Sequence, residues 1–162
     1  MKSRSLSVWP FAILLVAGCG GRDGTGPPSL RYGEETCAHC RMIISDDRFA
    51  AALVDEDRGA LKFDDVGCLV LHEAGRERPG ASYWVRDHAG GGWLDARLAT
   101  FVNGREVASP MGHDLAAMAT PDRAADLTGG RDARRFRFGE LTGYVQDEHL
   151  AKAGAAPRGS AH

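Results

Sequence analysis

Two short stretches of this chain concentrate side chains that bind soft metal ions. The first is Cys37-Ala38-His39-Cys40-Arg41-Met42, which places two thiols, an imidazole and a thioether within six residues. The second is Pro110-Met111-Gly112-His113, where Met111 and His113 flank a glycine whose backbone freedom lets both side chains turn to one side. Thiolate and thioether sulfur select Cu(I), whereas Ca²⁺ and Mg²⁺ want an oxygen cluster that neither stretch supplies. The candidate ligands are therefore Cys37, Cys40, Met42, Met111 and His113, with Cu(I) as the ion. Met111 taken alone reads as a core residue, and the histidine two positions further on favours the ligand role.

Other chemistries fit parts of the pattern and stay open at this point. Cys37 and Cys40 form a CxxC pair, which in an exported protein suits thiol-disulfide exchange. Zinc accepts Cys37, Cys40 and His113, but a thioether serves it poorly. Asp64-Asp65 could split their proton affinities as an acid and a base. No nucleophile stands beside them, so residues 63–68 read instead as a helix start with Asp65 in its cap region and Cys68 as a core residue. His39 reads as a supporting donor or a solvent-facing ring, His88 as a loop residue, and His149 and His162 as parts of the C-terminal tail. The chain carries no P-loop, dinucleotide fingerprint, serine elbow or His-Glu-x-x-His string, and nothing marks it as an enzyme.

These stretches need elements to position them. Residues 32–86 read as a β-β-α-β unit: a strand over 49–54, a charged turn, a strand over 60–63, a helix over 66–74 and an aromatic, β-branched strand over 82–86. Residues 87–144 read as a second such unit, with strands over 98–103 and 106–109, a helix over 112–119 and a closing strand over 135–138. The expected class is α+β, two small units packed so that each buries the other's open apolar face. Residues 145–162, where apolar spacing lapses, read as a flexible tail.

Residues 1–18 read as a lipoprotein signal peptide. Lys2 and Arg4 give it a positive head, and the apolar run over 8–16 is shorter than the roughly 20 residues that span a bilayer. Val16-Ala17-Gly18-Cys19 resembles the bacterial lipobox, which makes Cys19 the lipidation site and residues 19–31 a Gly/Pro-rich tether. Gly20 after that cysteine, in place of an aspartate, is compatible with the outer membrane where a cell has two. The net charge of −2 asks for no nucleic-acid partner, and a hydrophobic fraction of 43% supports a packed core.

Taken in order, the lipobox at Cys19, the Cys37–Met42 string, residues 49–54, Phe63-Asp64-Asp65-Val66-Gly67-Cys68, residues 93–102 and Pro110-Met111-Gly112-His113 resemble the nitrous-oxide reductase accessory lipoprotein family. The resemblance covers most of residues 32–140. It implies a membrane-anchored, periplasmic chaperone of two β-β-α-β units that binds Cu(I) for the copper sites of nitrous-oxide reductase. It also implies that Met111 and His113 belong to the copper site and that the partner is a membrane ABC-type maturation complex. Where the family often has glycine before the methionine of its cysteine string, this chain has Arg41. Two further readings remain beside it: an exported thiol-disulfide protein using Cys37 and Cys40, and a non-catalytic lipoprotein that holds a partner through Tyr83, Trp84 and Trp93.

Overall fold

The computed structural model describes residues 26–104, 106–129 and 133–155. The signal peptide, Cys19, most of the tether and His162 lie outside the described residues. Strands β1 (Ala51–Asp55) and β2 (Gly59–Phe63) form a hairpin with Ala51 opposite Phe63 and Asp55 opposite Gly59. Asp55 closes the turn by accepting the Asp57 N–H at 3.0 Å, and Gly59 leaves it with φ +79°, a conformation that favours glycine. Helix α1 (Val66–Glu73) follows, then β3 (Ser82–Arg86), which pairs antiparallel with β1, and β4 (Trp93–Asp95), which pairs with β3. The sheet order is β2-β1-β3-β4.

The second unit repeats this path. Strands β5 (Thr100–Asn103) and β6 (Leu115–Met118) pair antiparallel, helix α2 (Pro121–Leu127) follows, and β7 (Arg134–Phe136) pairs with the other edge of β5. Its order, β6-β5-β7, again puts the unit's first strand between its second and third. The expected α+β architecture of two β-β-α-β units is present, with β4 and a C-terminal helix added.

Inside the second unit the expected positions move. Residues 106–109 form no strand, and the expected helix over 112–119 is replaced by strand β6. Leu115, Ala116, Ala117 and Met118 are helix formers by composition, yet both faces of the strand they form are covered. Leu115 and Ala117 join Phe101, Phe63 and Val85 in the large core shared by the two units. Ala116 and Met118 join Val102 and Ala124 of α2 in a smaller cluster. A strand buried on both faces shows no alternation, so its period is silent. The helix starts later, where Thr120 caps α2 and Pro121 occupies its first turn.

Residues 145–155, part of the stretch expected to be loose, continue as helix. A 3₁₀ turn at Phe138–Glu140 leads into α3 (Leu141–Ala155), which packs against α1. Leu141, Tyr144 and Val145 anchor it in the core, and the remainder lies largely on the surface, so the helix leaves little apolar period. No described helix is long and apolar enough to cross a membrane.

Candidate metal centre

The first donor string is a tight hairpin locked onto the first sheet. Thr36 bridges Ile43, the Cys37 N–H donates to Met42 O at 2.8 Å and the Arg41 N–H to Cys37 O at 3.1 Å. The Ala38 N–H donates to Lys62 O at 2.8 Å, and Glu35 pairs with the Lys62 ammonium, so the hairpin is tied to β2. Arg41 holds φ +66°, the left-handed region. This backbone turns the amides of His39 and Cys40, and that of Asp64 from the next element, onto the Cys37 sulfur, while the Met42 amide serves Cys40.

The helix start brings in a third thiol. Asp65 caps α1 by accepting the Cys68 N–H at 2.9 Å, which fixes the first turn and sets Cys68 against the hairpin. The sulfurs of Cys37, Cys40 and Cys68 all lie within 4.8 Å of one another. Cys37 and Cys68 are buried and Cys40 is half-buried. The Cys68 side chain hydrogen-bonds Cys37, and this bond, opposed by burial and helped by the amides, holds the Cys37 thiol far below its ordinary range. The same bond, with burial, drives Cys68 up. Burial raises Cys40.

The second donor string sits on the loop between β5 and β6, against the same helix start. The Ser109 hydroxyl donates to Asp65 Oδ2 at 2.8 Å and accepts the N–H groups of His113 at 3.1 Å and Asp114 at 3.0 Å. His113 Nδ1 lies 3.0 Å from both oxygens of Asp65. A carboxylate so placed accepts a hydrogen bond from Nδ1–H and leaves Nε2 as the ring nitrogen available to a ligand. Burial works against ionisation of Asp65, but His113, the Cys68 amide and Ser109 together hold its carboxyl below the usual range. Gly67 makes the approach possible: a Cβ at that position would come within 2.1 Å of His113 Cγ.

Both strings meet at a pocket of about 220 Å³ lined by His39, Cys40, Cys68, Met111 and His113, with Glu148, His149 and Lys152 of α3 on its far side. The Lys152 ammonium donates to Gly112 O at 2.5 Å, which pins the Met111–His113 loop to α3. Asp65, Cys68 and His113 also bring one potential ligand atom each within 4.8 Å of the others. Sulfur, thioether and imidazole donors thus converge on one cleft.

The fold and this donor set agree with what comparison finds: the profile of the NosL family matches residues 31–145 of the chain. The chain belongs to the NosL family. A relative from Stutzerimonas stutzeri, described as copper-binding lipoprotein NosL, is 28% identical over 153 residues, covering 81% of this chain and 77% of the relative. The crystal structure of the copper chaperone NosL from Shewanella denitrificans superposes with a TM-score of 0.59 over 72% of this chain and 98% of that one, at 20% identity. That likeness is one of fold.

Within this NosL-family chain the structure gathers Cys40, Met111 and His113 at the pocket, with Cys37 behind Cys40. Met42 is not with them: it is 57% exposed on the outside of the hairpin, where its carbonyl and amide serve the turn while its thioether faces water. Met111 and His113 lie on a loop entering a strand rather than at a strand-to-helix turn. Cys68, expected as core packing, is buried yet belongs to both ligand groups. His149, expected in a tail, lines the pocket from α3. The Asp65 cap at its start was the available signal for Cys68, since a capped first turn fixes the direction of its third residue.

Proposed function

We propose that this protein is a Cu(I) metallochaperone, anchored to a membrane through lipid on Cys19 and facing the periplasm, that carries copper for assembly of the copper sites of nitrous-oxide reductase. The observation that carries this reading is the His113 ring, held through Nδ1 by Asp65 and seated over Gly67, beside Met111 in a cleft that also contains Cys40 and Cys68. An oriented imidazole next to a thioether suits Cu(I) and leaves room for an incoming ligand from a recipient. The copper-binding lipoprotein among its relatives supports the same cargo and the same anchor. Docking to an ABC-type maturation complex follows from the family resemblance.

The thiol-disulfide reading fits less well. A nucleophilic thiolate must be reachable, and Cys37, the thiol with the lowered proton affinity, is 0% exposed. The aromatic partner-binding reading also loses Tyr83, whose ring packs on Phe138 and whose hydroxyl donates to Glu73 at 3.2 Å.

An anaerobic Cu(I) titration of the reduced protein against a chromophoric chelator tests the cargo. Replacing Met111 and His113 together by alanine is expected to weaken binding at that position by at least about 100-fold. Unchanged affinity, or no Cu(I) binding by the unaltered protein, overturns the reading. Delivery is tested by loading the protein with Cu(I) and following copper transfer to the apo-reductase in the presence of the maturation complex.

A further inference from the structure

We propose that Cys37, Cys40 and Cys68 form a second, interior Cu(I) position, joined to the Met111–His113 position through Cys68 as a shared ligand. The proposal rests on the copper reading above and adds to it a ligand set, a stoichiometry and a direction of movement.

Three observations carry it. The three sulfurs are mutually within 4.8 Å, close enough for small side-chain adjustments to bring all of them onto one ion. The backbone is already arranged for thiolates: the amides of His39, Cys40 and Asp64 face Cys37, and the Met42 amide faces Cys40. Amides directed at sulfur compensate a buried negative charge, a service that a merely packed thiol does not need. Finally, Cys68 is a member of both candidate groups, with Cys37 and Cys40 on one side and with Asp65 and His113 on the other.

The donor set discriminates between metals. Three sulfurs satisfy trigonal Cu(I), whereas structural zinc asks for a fourth protein ligand to close a tetrahedron. Neither His113, which belongs to the other group, nor the outward Met42 thioether closes one here. Asp64 is buried, its Oδ1 accepting the Ser45 N–H at 3.1 Å, and no carboxylate oxygen of it groups with the three sulfurs.

A shared ligand gives a route. Cu(I) leaving the interior breaks its bonds to the sulfurs of Cys37 and Cys40 and forms bonds to the Met111 sulfur and His113 Nε2, while its bond to Cys68 persists. Copper stays Cu(I) throughout, no electron moves, and the two released thiolates take protons from solvent. One donor is exchanged at a time, as in thiol exchange, so the ion is never bare. The half-buried Cys40 and the pocket mark the outward side of this path, and the buried Cys37 marks its inner end.

The test is Cu(I) titration of the full chain in detergent, carrying Cys19→Ser so that Cys37, Cys40 and Cys68 are the only thiols. The reduced chain is expected to take up about two Cu(I) per molecule, with X-ray absorption at the first equivalent showing sulfur neighbours only. Replacing Met111 and His113 by alanine should remove the second equivalent and keep the first. Cys37→Ser/Cys40→Ser should remove the first and keep copper at the pocket, and Cys68→Ser should weaken both. A total of about one equivalent, or nitrogen neighbours at the first equivalent, overturns the interior position while leaving the chaperone reading intact. A Met111/His113 variant that prefers Zn(II) to Cu(I) overturns the choice of metal. Absence of Cu(I) binding overturns both. The absorption measurement needs only the natural ligand set, so a cysteine variant that misfolds does not spoil the test.

Discussion

The two units follow the same path through space, yet only one helix start has become part of a donor site. Asp65 and Thr120 cap α1 and α2 in the same way, each accepting the amide three residues on. From there they diverge: Asp65-Val66-Gly67-Cys68 corresponds to Thr120-Pro121-Asp122-Arg123. The first cap is 1% exposed and holds His113, its Gly67 admits the imidazole, and Cys68 offers sulfur. The second cap is exposed, and the exposed Arg123 reaches back to the buried Asp87. The hairpins differ in the opposite sense. β1 and β2 are joined by a tight turn, whereas the long loop between β5 and β6 carries Ser109, Met111 and His113 across to α1. The pocket with Met111 and His113 is thus built from the helix start of one unit and the loop of the other, and neither unit holds that pocket alone.

The equivalent positions offer paired substitutions that break this asymmetry, and the largest effect is expected at Gly67. In Gly67→Ala the new methyl collides with the His113 ring, so the ring must leave or the helix must shift. Stability should fall by about 1–3 kcal/mol, as for other overpacked sites. Cu(I) affinity at the pocket should fall by about 10–100-fold. Asp122→Ala, the matching change in α2, should alter stability by less than about 1 kcal/mol and leave copper affinity unchanged. Thermal melts and chelator competition on the two variants decide it. Equal copper affinities in the pair would show that His113 does not depend on the helix start.

A smaller contrast is expected at the caps themselves. Asp65→Asn keeps an oxygen for the Cys68 amide but removes the charge that orients His113, so copper affinity should drop by about 10-fold with a modest loss of stability. Thr120→Ala should cost about 1 kcal/mol of stability and nothing in copper affinity, because that cap touches no donor. If both caps changed copper binding alike, the effect would be one of general loosening and the assignment of Asp65 as a positioning residue would fail.

The same contrast explains what could be read from the chain beforehand. In the first unit, turn residues and apolar runs agree with each other, and β2, α1 and β3 fall at or within one residue of their expected limits. In the second, β6 is covered on both faces and made of helix-forming residues, so neither period nor propensity identifies it. The signature Thr120-Pro121-Asp122 was present as a helix start and marks where α2 begins. Met111 and His113 were legible as candidate donors from type and spacing. Cys68 was not, because its role comes from convergence with Cys37 and Cys40 after folding, and a cysteine on an apolar helix face looks like packing. Met42 shows the converse: a donor close in sequence is turned outward by the backbone that arranges its neighbours.

The smallest effect concerns backbone strain, and it separates the two donor strings. Among the described residues other than glycine, Arg41 and Asp114 hold positive φ, at 66° and 52°. Aspartate tolerates that region and here its carboxylate also accepts the Ser109 amide at 3.4 Å, so the loop string has a residue suited to its bend. Arginine has no such compensation, and its side chain is exposed. A non-glycine residue in this region costs on the order of 1 kcal/mol or more, and glycine returns roughly 0.5–1 kcal/mol of that through its looser unfolded chain. Arg41→Gly should therefore stabilise the protein by about 0.5 kcal/mol, whereas Asp114→Gly should leave it unchanged or slightly weaker. Chemical denaturation of the two variants against the unaltered protein checks the sign. A loss of stability in Arg41→Gly would mean that the arginine side chain supports the cysteine hairpin, and that the departure from glycine is a contribution to the sulfur site and not a tolerated strain.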